Sequence, residues 1–152
     1  FLLLQPGNKV NFKVLILFTL QNHVAKQEYF NYTKSMNFLI VALGGAIGAA
    51  ARYGLSLITV KIDFPLMTFI TNLLGAFAIG LIVGFAAKKN LDSRLILFLK
   101  TGFCGGFTTF STFSLETFNL IQAGNYFIAG LYALLSIVLC IAGVALGLLI
   151  TK

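Results

Sequence analysis

One stretch of the sequence decides the fold, and it reads Gly102-Phe103-Cys104-Gly105-Gly106-Phe107-Thr108-Thr109-Phe110-Ser111-Thr112-Phe113-Ser114. It lies inside an apolar segment, residues 95–120, that is long enough to cross a bilayer, yet it contains three glycines and five hydroxyl side chains. Inside a bilayer, backbone that departs from regular helix is tolerated only where protein buries it or where water reaches it. The stretch therefore indicates a place where something polar is held or passes through.

The composition places the chain in a membrane. Of its 152 residues, 59% are hydrophobic and 10% are charged, and the mean hydropathy is +0.95. A soluble domain of this size has too little interior to hide so much apolar surface. The formal charge of +7 is carried at the ends of apolar segments, which is typical of membrane proteins and not of a nucleic-acid-binding patch. We therefore expect a multi-pass protein of the cell (plasma or inner) membrane, with no nucleic acid as a partner.

Four apolar segments are each long enough to cross a bilayer, which takes about 20 residues. They cover residues 37–60, 64–87, 95–120 and 125–150, and the joints between them are short. This pattern predicts an all-α bundle of four transmembrane helices. At about 1.5 Å per residue, the pair Gly105 and Gly106 lies roughly halfway through a hydrocarbon core of about 30 Å. We therefore expect the third helix to be broken near the midplane, at this glycine pair.

The first 35 residues differ from the rest of the chain. They are more polar, and their one apolar run, residues 14–20, is too short to span a bilayer. Met36 directly precedes the first long apolar segment. We expect Met36 to be the natural start, residues 1–35 to be a leader outside the functional fold, and residues 36–152 to form the four-helix domain.

A break in the third helix leaves backbone carbonyls without helical partners, and bare carbonyls suit a hard cation. The alternative is a glycine kink packed against a neighbouring helix. Beyond the break, Phe110 and Phe113 share one helix face and are interleaved with the hydroxyl residues Thr109, Ser111 and Thr112. The edges of phenyl rings can contact an anion and their faces a cation, although two phenylalanines in a membrane helix also simply pack.

Other polar side chains recur at helical spacing in the second and fourth segments. The amide of Asn72 either contacts a permeating ion or joins two helices. Tyr132, Ser136 and Cys140 are spaced four residues apart and so form one track of donors, in which the cysteine is the weakest. Small residues also recur every fourth position, as at Gly44 and Gly48, which predicts close helix packing.

Charged residues inside the segments are few. Arg52 lies toward the end of the first segment, where it can reach the interface or draw anions into a vestibule, and Glu116 lies near the end of the third. Residues 36–152 contain no histidine and no pair of carboxylates near the centre of a segment. We therefore expect no proton relay, no metal-hydrolase site and no Ser-His-Asp triad, and we expect that the protein is not an enzyme.

Three motifs, taken together, resemble the fluoride channel family (Fluc, also called CrcB). They are Gly-Gly-Ala-Ile-Gly-Ala-Ala-Ala-Arg-Tyr at residues 44–53, Thr-Asn-Leu-Leu-Gly-Ala-Phe at residues 71–77, and the stretch at residues 102–114. The likeness covers essentially all of residues 36–152. It implies a fluoride channel that exports fluoride and lowers its toxicity in the cytoplasm. It also implies that two subunits pair antiparallel in a dual-topology dimer with two fluoride pathways.

The resemblance also assigns residues. It implies that the backbone carbonyls of Gly105 and Thr108 hold a structural sodium ion at the dimer centre. The candidate residues of the fluoride pathway are Arg52, Asn72, Phe110, Ser111, Thr112, Phe113, Glu116, Tyr132 and Ser136.

Two further questions stay open at the level of sequence. Lys88, Lys89, Arg94 and Lys152 lie on the side of the N-terminus, against Lys61 opposite, so the positive-inside rule favours an internal N-terminus. A heterodimer with an oppositely oriented homologue therefore stands beside the homodimer. The alternative functions are a small four-helix multidrug or cation exporter, which needs a membrane-buried carboxylate, and a non-transporting membrane assembly protein.

Overall fold

The computed structural model describes residues 12–152, with the side chains of residue 17 and of residues 19–152. Every regular element in this part of the chain is helical. The elements are α1 (Phe12–Ser56), α2 (Leu66–Lys89), α3 (Ser93–Ile96), a π-helical segment (Leu97–Cys104), α4 (Gly105–Phe107), α5 (Phe110–Gln122) and α6 (Tyr126–Ile150).

Three of these helices are long and apolar enough to cross a membrane. They are Thr19–Ser56 within α1, Leu66–Lys89 and Tyr126–Ile150. The predicted third segment is divided among α3, the π-helical segment, α4 and α5. The protein is thus a multi-pass membrane protein whose regular structure, over residues 12–152, is entirely helical.

The chain divides into two compact units, Phe1–Asn37 and Phe38–Lys152. In the first unit, residues 12–37 are helical and most of their described side chains are exposed, whereas residues 1–11 of the predicted leader lie outside the described residues. The second unit contains all three sequence motifs.

The first helix differs from its predicted bounds of residues 37–60. It begins at Phe12, because no glycine or proline interrupts the sequence before Gly44. It ends at Ser56, ahead of the β-branched residues Ile58, Thr59 and Val60, whose side chains restrict the helical backbone.

Helices α2 and α6 pack closely through their small residues. A Cβ added to Gly147 would lie 2.5 Å from the carbonyl oxygen of Phe77, and one added to Gly80 would overlap the carbonyl oxygen of Val144. These atoms are backbone, which cannot move aside as a flexible side chain can. The prediction that the small-residue stripes serve helix packing is confirmed for this pair.

The same type of contact joins α1 to the third segment. A Cβ on Gly44 would lie 2.5 Å from the carbonyl oxygen of Phe98, and a Cβ on Gly48 would overlap that of Phe103. The third segment contributes a glycine to the same interface, since a Cβ on Gly106 would overlap the carbonyl oxygen of Gly45. Glycines of both elements therefore allow two backbones to lie in contact.

The third segment is interrupted, but not at the glycine pair. Gly105 and Gly106 lie in helix α4, and the interruption follows at Thr108 and Thr109, both of which have extended backbone. The prediction that the helix breaks at the glycines is wrong in this detail, since Gly106 serves the contact with α1. The sequence also gave no sign of the eight-residue π-helical segment before it.

We predict that Gly48→Leu lowers the free energy of unfolding by about 1–3 kcal/mol or more, because the added side chain meets the backbone of the third segment. Gly54→Leu on the same helix is the matched control, since a Cβ there meets nothing within 4 Å. Thermal unfolding followed by circular dichroism, together with the yield of monodisperse protein, measures the difference. Equal stability of the two variants would contradict the close packing of α1.

Candidate functional site

The interruption consists of two extended residues between two helices. Thr108 has φ −79° and ψ 157°, and Thr109 has φ −151° and ψ 115°. Thr109 is the N-cap of α5, and its side-chain oxygen accepts a hydrogen bond from the amide of Thr112 at 3.2 Å. Threonine is a good N-cap residue because its hydroxyl satisfies an amide that has no helical partner. The local sequence thus begins a new helix immediately after the interruption.

Asn72 of α2 holds the extended backbone at both of its polar groups. Its Oδ1 accepts a hydrogen bond from the amide of Thr109 at 2.8 Å, and its Nδ2 donates to the carbonyl oxygen of Thr109 at 3.1 Å. Because a side-chain amide has two N–H groups, one donor on Nδ2 remains after these bonds. The two readings of Asn72, helix joining and ion contact, are therefore compatible.

The carbonyls of Gly105 and Thr108, before α5, have lost the amides that would normally bond to them. In a continuous α-helix the amide of Thr109 would donate to Gly105, and that of Thr112 to Thr108. Here the first donates to Asn72 and the second to the hydroxyl of Thr109. Gly105 is exposed, and a Cβ added to it would meet nothing within 4 Å. The carbonyl oxygens of Gly105 and Thr108 are thus free of their regular helical bonds.

Two neighbouring carbonyls, of Cys104 and Gly106, are occupied. The carbonyl oxygen of Cys104 accepts from the amide of Thr108 at 3.0 Å and from its hydroxyl at 2.9 Å. The carbonyl oxygen of Gly106 accepts from Nε of Arg52 on α1 at 3.2 Å. Arg52 thus contacts the interrupted backbone directly, which the sequence did not indicate.

A cavity of about 410 Å³ opens beside the interruption. Its polar lining consists of Asn72, Thr108, Thr109, Ser136 and Cys140, and its apolar lining of Ala76, Ile79, Phe110, Phe113, Ile137, Ile141 and Val144.

The hydroxyl of Ser136, a lining residue of this cavity, is buried and unpartnered among the described residues. Ser136 is 6% exposed, and its oxygen has no hydrogen-bond partner within the described part of the chain. Buried hydroxyls nearly always have a partner, so a group that enters the cavity is the natural candidate.

The two phenylalanines of α5 differ in exposure. Phe110 is 76% exposed, whereas Phe113 is 9% exposed and its ring centroid lies 5.5 Å from that of Phe110. Phe113 also packs on Tyr132, with ring centroids 5.1 Å apart, and Tyr132 in turn contacts the ring of Phe64. Phe113 is therefore held by its neighbours, while most of the Phe110 ring is uncovered within one chain.

Glu116, on α5, links that helix to α2 and α6 by hydrogen bonds. Its Oε1 accepts from the hydroxyl of Thr68 on α2 at 2.8 Å, and its Oε2 accepts from the hydroxyl of Tyr132 on α6 at 2.7 Å. Hydrogen bonds to a carboxylate are stronger than those between neutral groups. Glu116 thus fixes α5, and the rings that it carries, against α2 and α6.

The predicted site residues fall into two groups. The cavity lining brings together Asn72, Phe110, Phe113 and Ser136, with Thr108 from the predicted cation site. The residues outside the lining are Arg52, Gly105, Ser111, Thr112, Glu116 and Tyr132.

Ser111 and Thr112 take part in the cap of α5. The hydroxyl of Thr109 lies 3.2 Å from that of Ser111 and donates to that of Thr112 at 3.0 Å. Sequence reasoning placed Thr109 among the hydroxyls interleaved with the phenylalanines but did not identify it as a helix cap, although a threonine directly before an apolar helix is a recognisable N-cap signal. The apolar wall formed by residues such as Ile79 and Ile137 has no chemical signal in the sequence.

The chain is similar to known proteins over most of its length. The model of the family described as "CrcB-like protein, Camphor Resistance (CrcB)" matches residues 39–148. A protein from Azobacteroides pseudotrichonymphae named fluoride-specific ion channel FluC is 50% identical over 117 residues, which cover 74% of this chain and 94% of that protein.

Two further relatives carry the same name. The one from Coxiella burnetii is 46% identical over 123 residues, which cover 77% of this chain and 98% of the relative. The one from Ruminiclostridium cellulolyticum is 46% identical over 121 residues, which cover 77% of this chain and 93% of the relative. Because the family model spans most of the chain and the relatives align over nearly their whole length, the chain belongs to the CrcB-like (Camphor Resistance) family.

Proposed function

We propose that this protein is a fluoride-specific ion channel. Fluoride leaves the cell through it down the electrochemical gradient, so that the toxicity of fluoride in the cytoplasm falls. The observation that carries this proposal is the cavity beside the interruption, where an unpartnered hydroxyl, a spare amide N–H and two phenyl rings meet. The relatives named fluoride-specific ion channel FluC support it independently, and their names indicate a transport function and not catalysis.

The groups at the cavity suit a small anion. Fluoride binds water tightly, so its dehydration is costly unless other donors replace the lost hydrogen bonds. The hydroxyl of Ser136, the spare N–H of Asn72 and the positive edges of Phe110 and Phe113 are donors of this type. Each is weak alone, and a series of weak sites lets an ion enter without being trapped.

Export needs no energy source beyond the membrane potential. A negative cell interior drives an anion outward with about 2.3 kcal/mol per 100 mV. A passive pathway through the protein is therefore sufficient for resistance to fluoride.

A sodium ion bound by the carbonyls of Gly105 and Thr108 belongs to the same proposal. Their freedom from helical hydrogen bonds supports it, since carbonyl oxygens are the ligands that a hard cation prefers. A bound cation would offset the repulsion between the anion and the surrounding carbonyl dipoles in a medium of low dielectric constant.

The cation site also bears on assembly. Two carbonyls from one chain are fewer oxygen ligands than a hard cation takes. A second copy would double their number to four, so we propose that two four-segment subunits, each with an interrupted third segment, pair antiparallel around the ion. A homologue of opposite orientation is the alternative partner, because the basic residues favour an internal N-terminus.

Fluoride efflux is the first test. Liposomes that contain the purified protein and are loaded with potassium fluoride should lose fluoride rapidly once a potassium ionophore is added, as read by a fluoride electrode. Matched liposomes loaded with potassium chloride should retain their anion, as should protein-free liposomes of either type. Equal loss of fluoride and chloride would refute the proposed selectivity.

The phenyl rings are tested by replacement with an aliphatic side chain. Phe110→Ile and Phe113→Ile keep apolar volume but remove the positive ring edge, so we expect each to slow fluoride efflux by about tenfold or more, while the protein remains folded. Phe118→Ile is the matched control, since Phe118 is exposed on the same helix and lies outside the cavity lining. Wild-type flux in both cavity variants would remove the rings from the pathway.

Dual topology is tested by orientation reporters. Reporter enzymes that are active on only one side of the membrane, fused to the C-terminus, should both give signal if one chain inserts in two orientations. Signal from one reporter alone would contradict the antiparallel homodimer and would favour a partner of opposite orientation.

A further inference from the structure

We infer that Asn72 is a positioning residue for the cation site, in addition to any contact that it makes with the anion. Its amide oxygen holds the N–H of Thr109 and thereby keeps the carbonyl of Gly105 free to bind a cation. The inference rests on the proposed sodium site, and it goes beyond that site by naming the side chain that controls it.

Two acceptors compete for the amide hydrogen of Thr109. The amide of Thr109 can donate to Oδ1 of Asn72, as it does at 2.8 Å, or to the carbonyl of Gly105, as it would in a continuous helix. Both donations cannot be made well at once, because the two acceptors lie in different directions. Without Asn72, the return to helical bonding would occupy the carbonyl that the cation needs.

The two ends of the Asn72 amide then have separate tasks. The oxygen holds the interruption through the amide of Thr109. The nitrogen donates one N–H to the carbonyl of Thr109 at 3.1 Å and keeps a second for the cavity, which Asn72 lines. One side chain thus joins the cation site to the anion cavity, and substitution can separate the two tasks.

Two substitutions separate them. Asn72→Leu has a similar volume and removes both the acceptor and the donor. Asn72→Asp keeps an oxygen acceptor for the amide of Thr109 in either protonation state, but leaves no spare N–H for the cavity and, when ionised, repels an anion. We expect the leucine variant to lose sodium binding and fluoride flux, and the aspartate variant to lose flux alone.

The experiment measures both properties on the purified full chain. Sodium is titrated against N-methylglucamine at constant ionic strength, and the concentration that gives half of the maximal thermal stabilisation is read by circular dichroism. Fluoride efflux is measured in liposomes on the same preparations. We expect the half-maximal sodium concentration to rise by at least about tenfold in Asn72→Leu, as the loss of a positioning hydrogen bond predicts, and not to rise in Asn72→Asp. Efflux should fall at least about tenfold in both.

Ser136→Ala is the matched control. Ser136 lines the cavity, but its hydroxyl makes no hydrogen bond to the interruption, so its removal should leave the half-maximal sodium concentration unchanged whatever it does to flux. If Asn72→Leu does not yield folded protein, Asn72→Ala takes its place, because alanine also removes the acceptor of the Thr109 amide and is expected to raise the half-maximal sodium concentration in the same way.

A wild-type sodium response in Asn72→Leu, or a lost response in Asn72→Asp, would overturn the inference. Wild-type protein that conducts fluoride without any response to sodium would refute the cation site and this inference with it, and would leave the channel function standing. Wild-type protein that responds to sodium but does not conduct fluoride would refute the channel function alone, and the sodium response of the variants would still decide the role of Asn72.

Discussion

The site depends on the pair of hydrogen bonds between the side chain of Asn72 and the backbone of Thr109. In an apolar medium, a backbone N–H or C=O without a partner costs several kcal/mol, so a membrane segment can leave helical geometry only where other groups satisfy it. Asn72 supplies partners from α2, Arg52 supplies one from α1, and the hydroxyl of Thr109 caps the helix that follows. With these three, two extended residues are stable between two helices.

The position of the interruption decides what chemistry lies on each side of it. Carbonyls that have lost their helical amides precede it, and the phenyl rings of α5 follow it, so a cation site and an anion cavity adjoin in the proposed channel. Glu116 fixes the second of these parts, because its bonds to Thr68 and Tyr132 hold α5 against two neighbouring helices. The glycines of α1 and of the third segment fix the first part by bringing the two backbones into contact.

Sequence reasoning located the interruption to within a few residues but gave it the wrong cause. Gly105 and Gly106 were the obvious breakers, yet a glycine in an apolar medium is just as useful for close packing, and the helix runs through both. The cause is the competition for the amide of Thr109, which depends on a residue 37 positions away along the chain. The contact of Arg52 with Gly106 is hidden for the same reason, since it joins residues 54 positions apart.

The sequence by itself determined the membrane class and the long apolar segments, and it supplied the candidate residues of the site, because hydropathy, length and residue type are local properties. The tertiary structure alone decided which carbonyls are free, which side of Asn72 holds the backbone, and that the hydroxyl of Ser136 is unpartnered. Those facts depend on which donor lies within hydrogen-bonding distance of which acceptor in the folded protein. That choice is made in space, between helices that the chain brings together only when it folds.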